Sequence, residues 1–155
     1  MENFTGAAPR LALSTHPEVV EAAPADGAAA PQELPTAPIG ISGVISTPGQ
    51  EDKYVLPVAP GQKLRVAVTA RQFGSPLDAE LSIRKPDGAQ LAYGDDSPSS
   101  SDPAIDFDVP EGVSQVHLVI KDRIGGGGAN YVYRIAAVDR TLPDFDINLP
   151  AGELN

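Results

Sequence analysis

Two groups of acidic residues stand where this chain could do chemistry. One is Gln50-Glu51-Asp52. The other sets Asp95-Asp96 against Ser75-Pro76-Leu77-Asp78 across a Lys85-Pro86-Asp87-Gly88 turn, with Asp102 in a position to join them. If the segments flanking that turn pair, Asp78, Asp95 and Asp96 lie at one end of a hairpin. Carboxylates held that close repel one another, and a bound cation relieves the repulsion. Aspartate is also an ordinary turn residue whose carboxylate accepts backbone N–H bonds, so a second, purely structural reading stands beside the first. The residue types of covalent and acid–base catalysis are arranged less suggestively. His16 lies in a Pro/Ala-rich stretch, and His117 alternates outward on a strand beside Lys121, the usual place of a solvated imidazole. Ser97 to Ser101 offers hydroxyls without a Gly-x-Ser-x-Gly elbow, and the chain has no Cys. Gly125 to Gly128 lacks the Lys-Ser/Thr and helix start of a phosphate loop, because Ala129-Asn130-Tyr131 opens a strand. It reads as a flexible hairpin loop. The expectation is a protein that is not an enzyme.

The elements that position these residues are strands. Gln62 to Arg71 has the clearest period of two, with Leu64, Val66, Val68 and Ala70 on one face and Arg65, Ala67, Thr69 and Arg71 on the other. Gly40 to Ser46 and Asp52 to Val58 precede it, and Ala59-Pro60-Gly61 supplies the Pro-Gly of a type II turn. Asp78 to Arg84 and Ala89 to Tyr93 form a hairpin in which Leu81 and Ile83 face Leu91 and Tyr93. Ile105, Phe107 and Val109 point inward on a sixth strand, with Asp106 and Asp108 outward. Ser114 to Asp122 and Asn130 to Val138 complete the set, placing Val116, Leu118, Ile120, Tyr131, Tyr133 and Ile135 inside. The aromatics Tyr54, Tyr93, Phe107, Tyr131 and Tyr133 all fall at inward positions; one found on an outer face would be a stacking surface for sugar or peptide. About eight half-buried strands, about 8 to 12 residues apart and without crossover helices, predict an all-β, antiparallel two-sheet sandwich of jelly-roll type.

Residues 1 to 38 read as an Ala/Pro-rich acidic linker or tail, residues 39 to 140 as the sandwich, and residues 141 to 155 as an extra edge strand or the start of a following domain. The first segment shows neither a 2.0 nor a 3.6 period, and Thr15 to Glu21 could cap a short helical turn. The net charge of −10 excludes a basic stripe for nucleic acid, and no apolar run is long enough to span a membrane. Met1-Glu2-Asn3-Phe4 does not open a signal peptide.

The order of Gly43-Val44-Ile45-Ser46, Asp52-Lys53-Tyr54, Val58-Ala59-Pro60-Gly61-Gln62, Gly74-Ser75-Pro76-Leu77-Asp78, Pro86-Asp87-Gly88, Asp95-Asp96 and Tyr131-Val132-Tyr133-Arg134 resembles the bacterial pre-peptidase C-terminal domain family over about residues 39 to 140. Ser75-Pro76-Leu77-Asp78, Gly125 to Gly128 and Pro143-Asp144-Phe145 look most like the versions in large planctomycete-type extracellular proteins. The resemblance implies a calcium-associated β-sandwich appended to secreted peptidases or surface proteins. Members with a calcium site draw its ligands from an acidic linker and from a Gly-Asp-x-Asp step at the second strand. By that resemblance Asp26, Glu51 and Asp52 are the ligands here, with Ala at two linker positions and Gln50 in place of the first Asp of the step, lending a neutral oxygen. Calcium takes six to eight oxygens, so clustered carboxylates are the chemistry it needs. With Asp78, Asp95 and Asp96, these make up the candidate metal residues.

The functional expectation is a non-catalytic accessory or interaction domain of a larger exported protein, extracellular, periplasmic or at the cell surface. It would dock to a protein or to an extracellular polysaccharide or peptide polymer, with calcium as a stabilising ion. The alternative is a passive spacer or assembly subunit that pairs through exposed strand edges.

Overall fold

A computed structural model describes residues 14–22, 30–98 and 100–141. Its strands are β1 (Glu18–Val20), β2 (Gln32–Glu33), β3 (Ile39–Val44), β4 (Glu51–Pro57), β5 (Lys63–Thr69), β6 (Ala79–Arg84), β7 (Gln90–Gly94), β8 (Ala104–Asp108), β9 (Gln115–Asp122) and β10 (Val132–Asp139). One sheet has the order β1-β3-β10-β5-β8 and the other β2-β4-β9-β6-β7. Without the two short N-terminal strands, the orders β3-β10-β5-β8 and β4-β9-β6-β7 are those of two interlocked Greek keys, which is the jelly-roll order.

The two sheets close over the side chains that the alternation placed inward. Ile39, Ile41, Leu64, Val66, Ile135 and Ala137 of the first sheet meet Leu56, Leu81, Ile83, Val116, Leu118 and Ile120 of the second, all fully buried. Each large aliphatic side chain buried in this way contributes about 1.5–3 kcal/mol. Outward positions carry ion pairs instead, as where Arg65 meets Asp106 at 2.9 Å across β5 and β8. The turns follow the glycines. Gly61 has φ of 74° and Gly88 of 89°, conformations that a side chain would strain.

Two features depart from the sequence reading. The N-terminal segment, expected as tail, gives each sheet a parallel edge strand: β1 runs along β3 and β2 along β4. Val19 packs on the core and Leu34 is buried, so this strap covers the edges of both sheets. Glu18 to Val20 is extended, where a helical turn was expected, because Pro17 and Glu21 already exchange backbone hydrogen bonds with Gly40 and Ser42. The second departure is Tyr93, which is 45% exposed. The β6–β7 ladder shifts register between Ile83 and Arg84, and that bulge inserts one residue, pairs Ala92 with Ile83 and turns Tyr93 to the outer face beside Ser82. No helix among the described residues is long and apolar enough to cross a membrane.

Candidate functional site

The buried polar centre of the molecule lies where β1 leaves the edge of β3. Strand β3 carries two glycines, Gly40 and Gly43, and β1 lays a glutamate over each. Glu18 crosses the outer face at Gly40 and pairs with Arg134 of β10. Glu21 turns to the inner face, where its Oε2 accepts the Val44 N–H at 2.8 Å. A Cβ on Gly40 would overlap the Glu18 carboxylate; one on Gly43 would meet Tyr133 Cζ at 2.5 Å and Glu21 Oε2 at 2.9 Å. Both glycines therefore mark close approach, the usual meaning of glycine inside a strand.

Below Glu21 sits Asp52, buried on β4. Its Oδ1 accepts from Gln50 Nε2 at 2.6 Å and its Oδ2 from the Tyr133 hydroxyl at 2.6 Å. The Tyr54 and Tyr133 hydroxyls share a further hydrogen bond of 2.6 Å. Burial pushes both phenols well above their ordinary range, so both keep their protons and can donate. The Gln50 side chain is oriented by its surroundings. Its Oε1 accepts the backbone N–H groups of Ser46 and Thr47 at 2.9 and 3.0 Å, which turns the amide nitrogen toward Asp52 and the Val44 carbonyl. Burial raises Glu21 above its ordinary value, the Val44 N–H opposes that rise, and the nearby Asp52 carboxylate adds to it. Gln32 ties the strap together, accepting from Ala22 N at 2.8 Å and donating to the Val20 carbonyl at 3.2 Å.

Of the first acidic group, the structure therefore brings Asp52 into the buried centre. Glu51 points away, paired with Lys53 at 3.2 Å on the outer face. Asp26 lies outside the described residues. Gln50, expected to lend an oxygen, presents its N–H instead. Glu21, which opens the acidic linker Glu21 to Asp26, is not among the candidate ligands read from the sequence; the signal for it is the spacing Glu18-x-x-Glu21 against Gly40-x-x-Gly43.

The second group shares one end of the β6–β7 hairpin, since Leu81 pairs with Gly94, but its carboxylates go to separate partners. Asp78 pairs with Arg71 at 3.4 Å and Asp95 with Arg123 at 3.1 Å, while Asp96 is exposed. Asp102 is buried and accepts from Ala70 N and Arg71 N at 2.9 and 3.0 Å. Asp122, also buried, accepts from Asp78 N at 2.9 Å and Gly126 N at 2.6 Å. Asp102 performs the backbone-capping role that the sequence allowed for its group, and Asp122, read from sequence only as a strand end, does the same. Gly125 to Gly128 is held down by the same means. Gly128 N donates to Ile45 O at 2.8 Å, and Gly127 lies on the Thr47-Pro48 backbone.

Beside the buried centre, the outer face of the first sheet holds an open groove of about 670 Å³. Val20, Val44, Val132 and Phe73 line it, with Ser42 and the Glu18–Arg134 pair. The residues of β1, β3 and β10 in it share one face by register.

A solved structure with the same arrangement is the pre-peptidase C-terminal domain of collagenase from Bacillus anthracis. It covers 80% of this chain and 99% of its own, with a TM-score of 0.50 and 13% identity. The chain has the fold of a pre-peptidase C-terminal domain. No family model and no curated protein matches the sequence.

Calcium is the ion that the resemblance implies, and the donor set does not favour it. Two carboxylates, Glu21 and Asp52, converge, and among the described residues no group of three His, Cys, Asp or Glu side chains is placed to hold a metal. Both Asp52 oxygens already face hydrogens, from an amide and a hydroxyl. A calcium ion needs six to eight oxygens around it, far more than two carboxylates offer. The described residues do not make that fit.

Proposed function

We propose that this chain is a non-catalytic accessory domain of a larger exported protein, of the kind built into multidomain extracellular proteins, and that it docks to an extracellular protein or polymer. The observation that carries this reading is the pre-peptidase C-terminal fold, combined with polar side chains whose hydrogen bonds serve structure. Ser97 and Ser100 close a turn on each other's backbone, with Ser100 Oγ capping Asp102 N at 3.0 Å. His117 sits half-buried on the outer face of β9 between Val55 and Arg84. The groove bounded by Val20 and Phe73 is the docking surface of this reading. It is apolar at its floor, carries a charged pair, and is broad enough for an extended peptide.

The test is co-sedimentation of the full chain with insoluble collagen and with insoluble polysaccharides, comparing wild type with a Val44→Asp, Val132→Asp double variant. Binding that the double variant loses by tenfold or more supports the reading. Hydrolysis of peptide or glycan substrates that disappears on substituting His117 or Ser100 overturns it, and so does tight self-association in place of docking.

A further inference from the structure

We infer that Asp52, the carboxylate beneath Glu21 of the N-terminal strap, is satisfied by this chain's own hydrogen-bond donors, the Gln50 amide and the Tyr133 hydroxyl, so that strap docking is independent of divalent metal. The inference holds whether or not the groove binds a partner.

The argument begins with the direction of the Gln50 side chain. Two backbone N–H groups, from Ser46 and Thr47, and two hydroxyls converge on its Oε1. Backbone N–H groups only donate, so the oxygen is fixed on that side and the –NH2 must face Asp52. An Asp at position 50, as the resembling family has it, would be an acceptor only. It would set a third negative group beside Glu21 and Asp52, and such a trio calls for a cation. In this chain the same position supplies positively polarised hydrogens. Nε2 reaches Asp52 Oδ1 at 2.6 Å and the Val44 carbonyl at 3.3 Å, and so links β4 to β3.

Tyr133 closes the other side. Its hydroxyl donates to Asp52 Oδ2 and, with Tyr54 behind it, forms a chain of donors ending on the carboxylate. Glu21 is held from the opposite direction by Val44 N–H. No buried side-chain nitrogen or oxygen among the described residues lacks a hydrogen-bond partner, so the site presents no orphaned oxygen for an ion to satisfy. Asp52 is thus satisfied by protein groups alone, while Glu21 is held beside it, at the point where β1 pairs with β3, by the Val44 N–H and by Glu21 N on Ser42 O at 2.8 Å.

Hydrogen exchange on the full chain tests this, read at the amides of Glu21 and Leu34, which bond to Ser42 and Val55. The comparison is between chelator and 1 mM calcium chloride. In wild type, protection of both amides is expected to agree within twofold in the two conditions. The Gln50→Asp variant is expected to lose at least tenfold protection in chelator and to regain it in calcium. Tyr133→Phe, which leaves the charges unchanged, is expected to lose protection equally in both. A wild-type strap whose protection rises tenfold with calcium overturns the inference, as does a Gln50→Asp strap that stays closed in chelator. If Gln50→Asp does not fold, the wild-type and Tyr133→Phe measurements still decide the matter.

Discussion

Substituting alanine at Gly43 and, separately, at Gly40 tests how the strap is seated. The two glycines lie three apart on one strand, and both are buried. What each new methyl meets is different. At Gly43 it meets the Tyr133 ring at 2.5 Å, and that ring is 2% exposed and held between sheets. A ring so placed cannot swing away, so the strands must shift, at an overpacking cost of about 1–3 kcal/mol. The shift also breaks the Tyr133–Asp52 hydrogen bond, and a bond to a charged group contributes about 1.5–3 kcal/mol. Together these sum to about 2.5–6 kcal/mol, and replacing a strand glycine returns about 0.5–1 kcal/mol, for a net loss of about 2–5 kcal/mol, or about 4–20 °C in Tm for a chain of this size. At Gly40 the obstacle is the far end of Glu18, which can turn into solvent. That sacrifices an exposed ion pair of about 0–1 kcal/mol and recovers about 0.5–1 kcal/mol from replacing a strand glycine. The expected change is close to zero. Urea unfolding followed by tyrosine emission, the chain having no Trp, measures both. Gly43→Ala and Gly40→Ala variants within about 1 kcal/mol of each other, well inside the gap that the overpacking estimate sets, would refute the close-approach argument.

Three further outcomes are expected. Glu21 has a raised pKa in the folded chain, so its contribution is fully present below its ordinary value of 4.5 and is lost as pH rises through the elevated one. Glu18 runs the other way. Burial alone would raise it, but Arg134 and Ser14 bring it below 4.5, so its contribution is lost as pH falls through the depressed value. Strap protection in hydrogen exchange should therefore increase as pH falls through the elevated Glu21 value toward 4.5 and decline in stronger acid as Glu18 is protonated, and Glu21→Gln should flatten the first limb. Asp102→Ala should cost about 2–4 kcal/mol in a denaturation series, because two backbone N–H groups lose a charged acceptor, whereas Asp78→Ala, removing a partly exposed ion pair, should cost under about 1 kcal/mol. Gly127→Ala places a methyl 2.6 Å from Pro48 N, and since backbone cannot yield as a side chain does, exchange at the Gly128 amide should accelerate at least tenfold.

Most strands from β3 to β10 were legible because apolar residues recur at every second position, and in Lys63–Thr69 burial follows that period without a break. The strap was not legible. Its strands are three and two residues long, too short for a period, and Glu18, Glu21 and Gln32 hold it more than apolar side chains do. Tyr93 was misplaced for a different reason, since a single extra residue in a ladder inverts every face beyond it and leaves no mark in composition. At the candidate site, Asp52 was readable as an acid at a strand start. That Gln50 would give it a hydrogen rather than share a cation with it depended on two N–H groups of the Ser46-Thr47 turn, which only the folded backbone aims. Asp102 looked like any turn aspartate and Asp122 like the polar end of a strand, and neither pattern signals that both are buried.

The register of β3 has a mechanical consequence. Glu18 and Ala136 flank Gly40 on its two sides, so the chain enters along β1 and departs along β10 at one end of the same sheet, about 10 Å apart. The points of entry and exit are thereby gathered on one side of the sandwich. Tension on the leading side reaches the strap first. Its release would pay out about 80 Å of slack, at about 3.3 Å for each of roughly 25 residues from 14 to 38, before any load fell on the jelly roll itself.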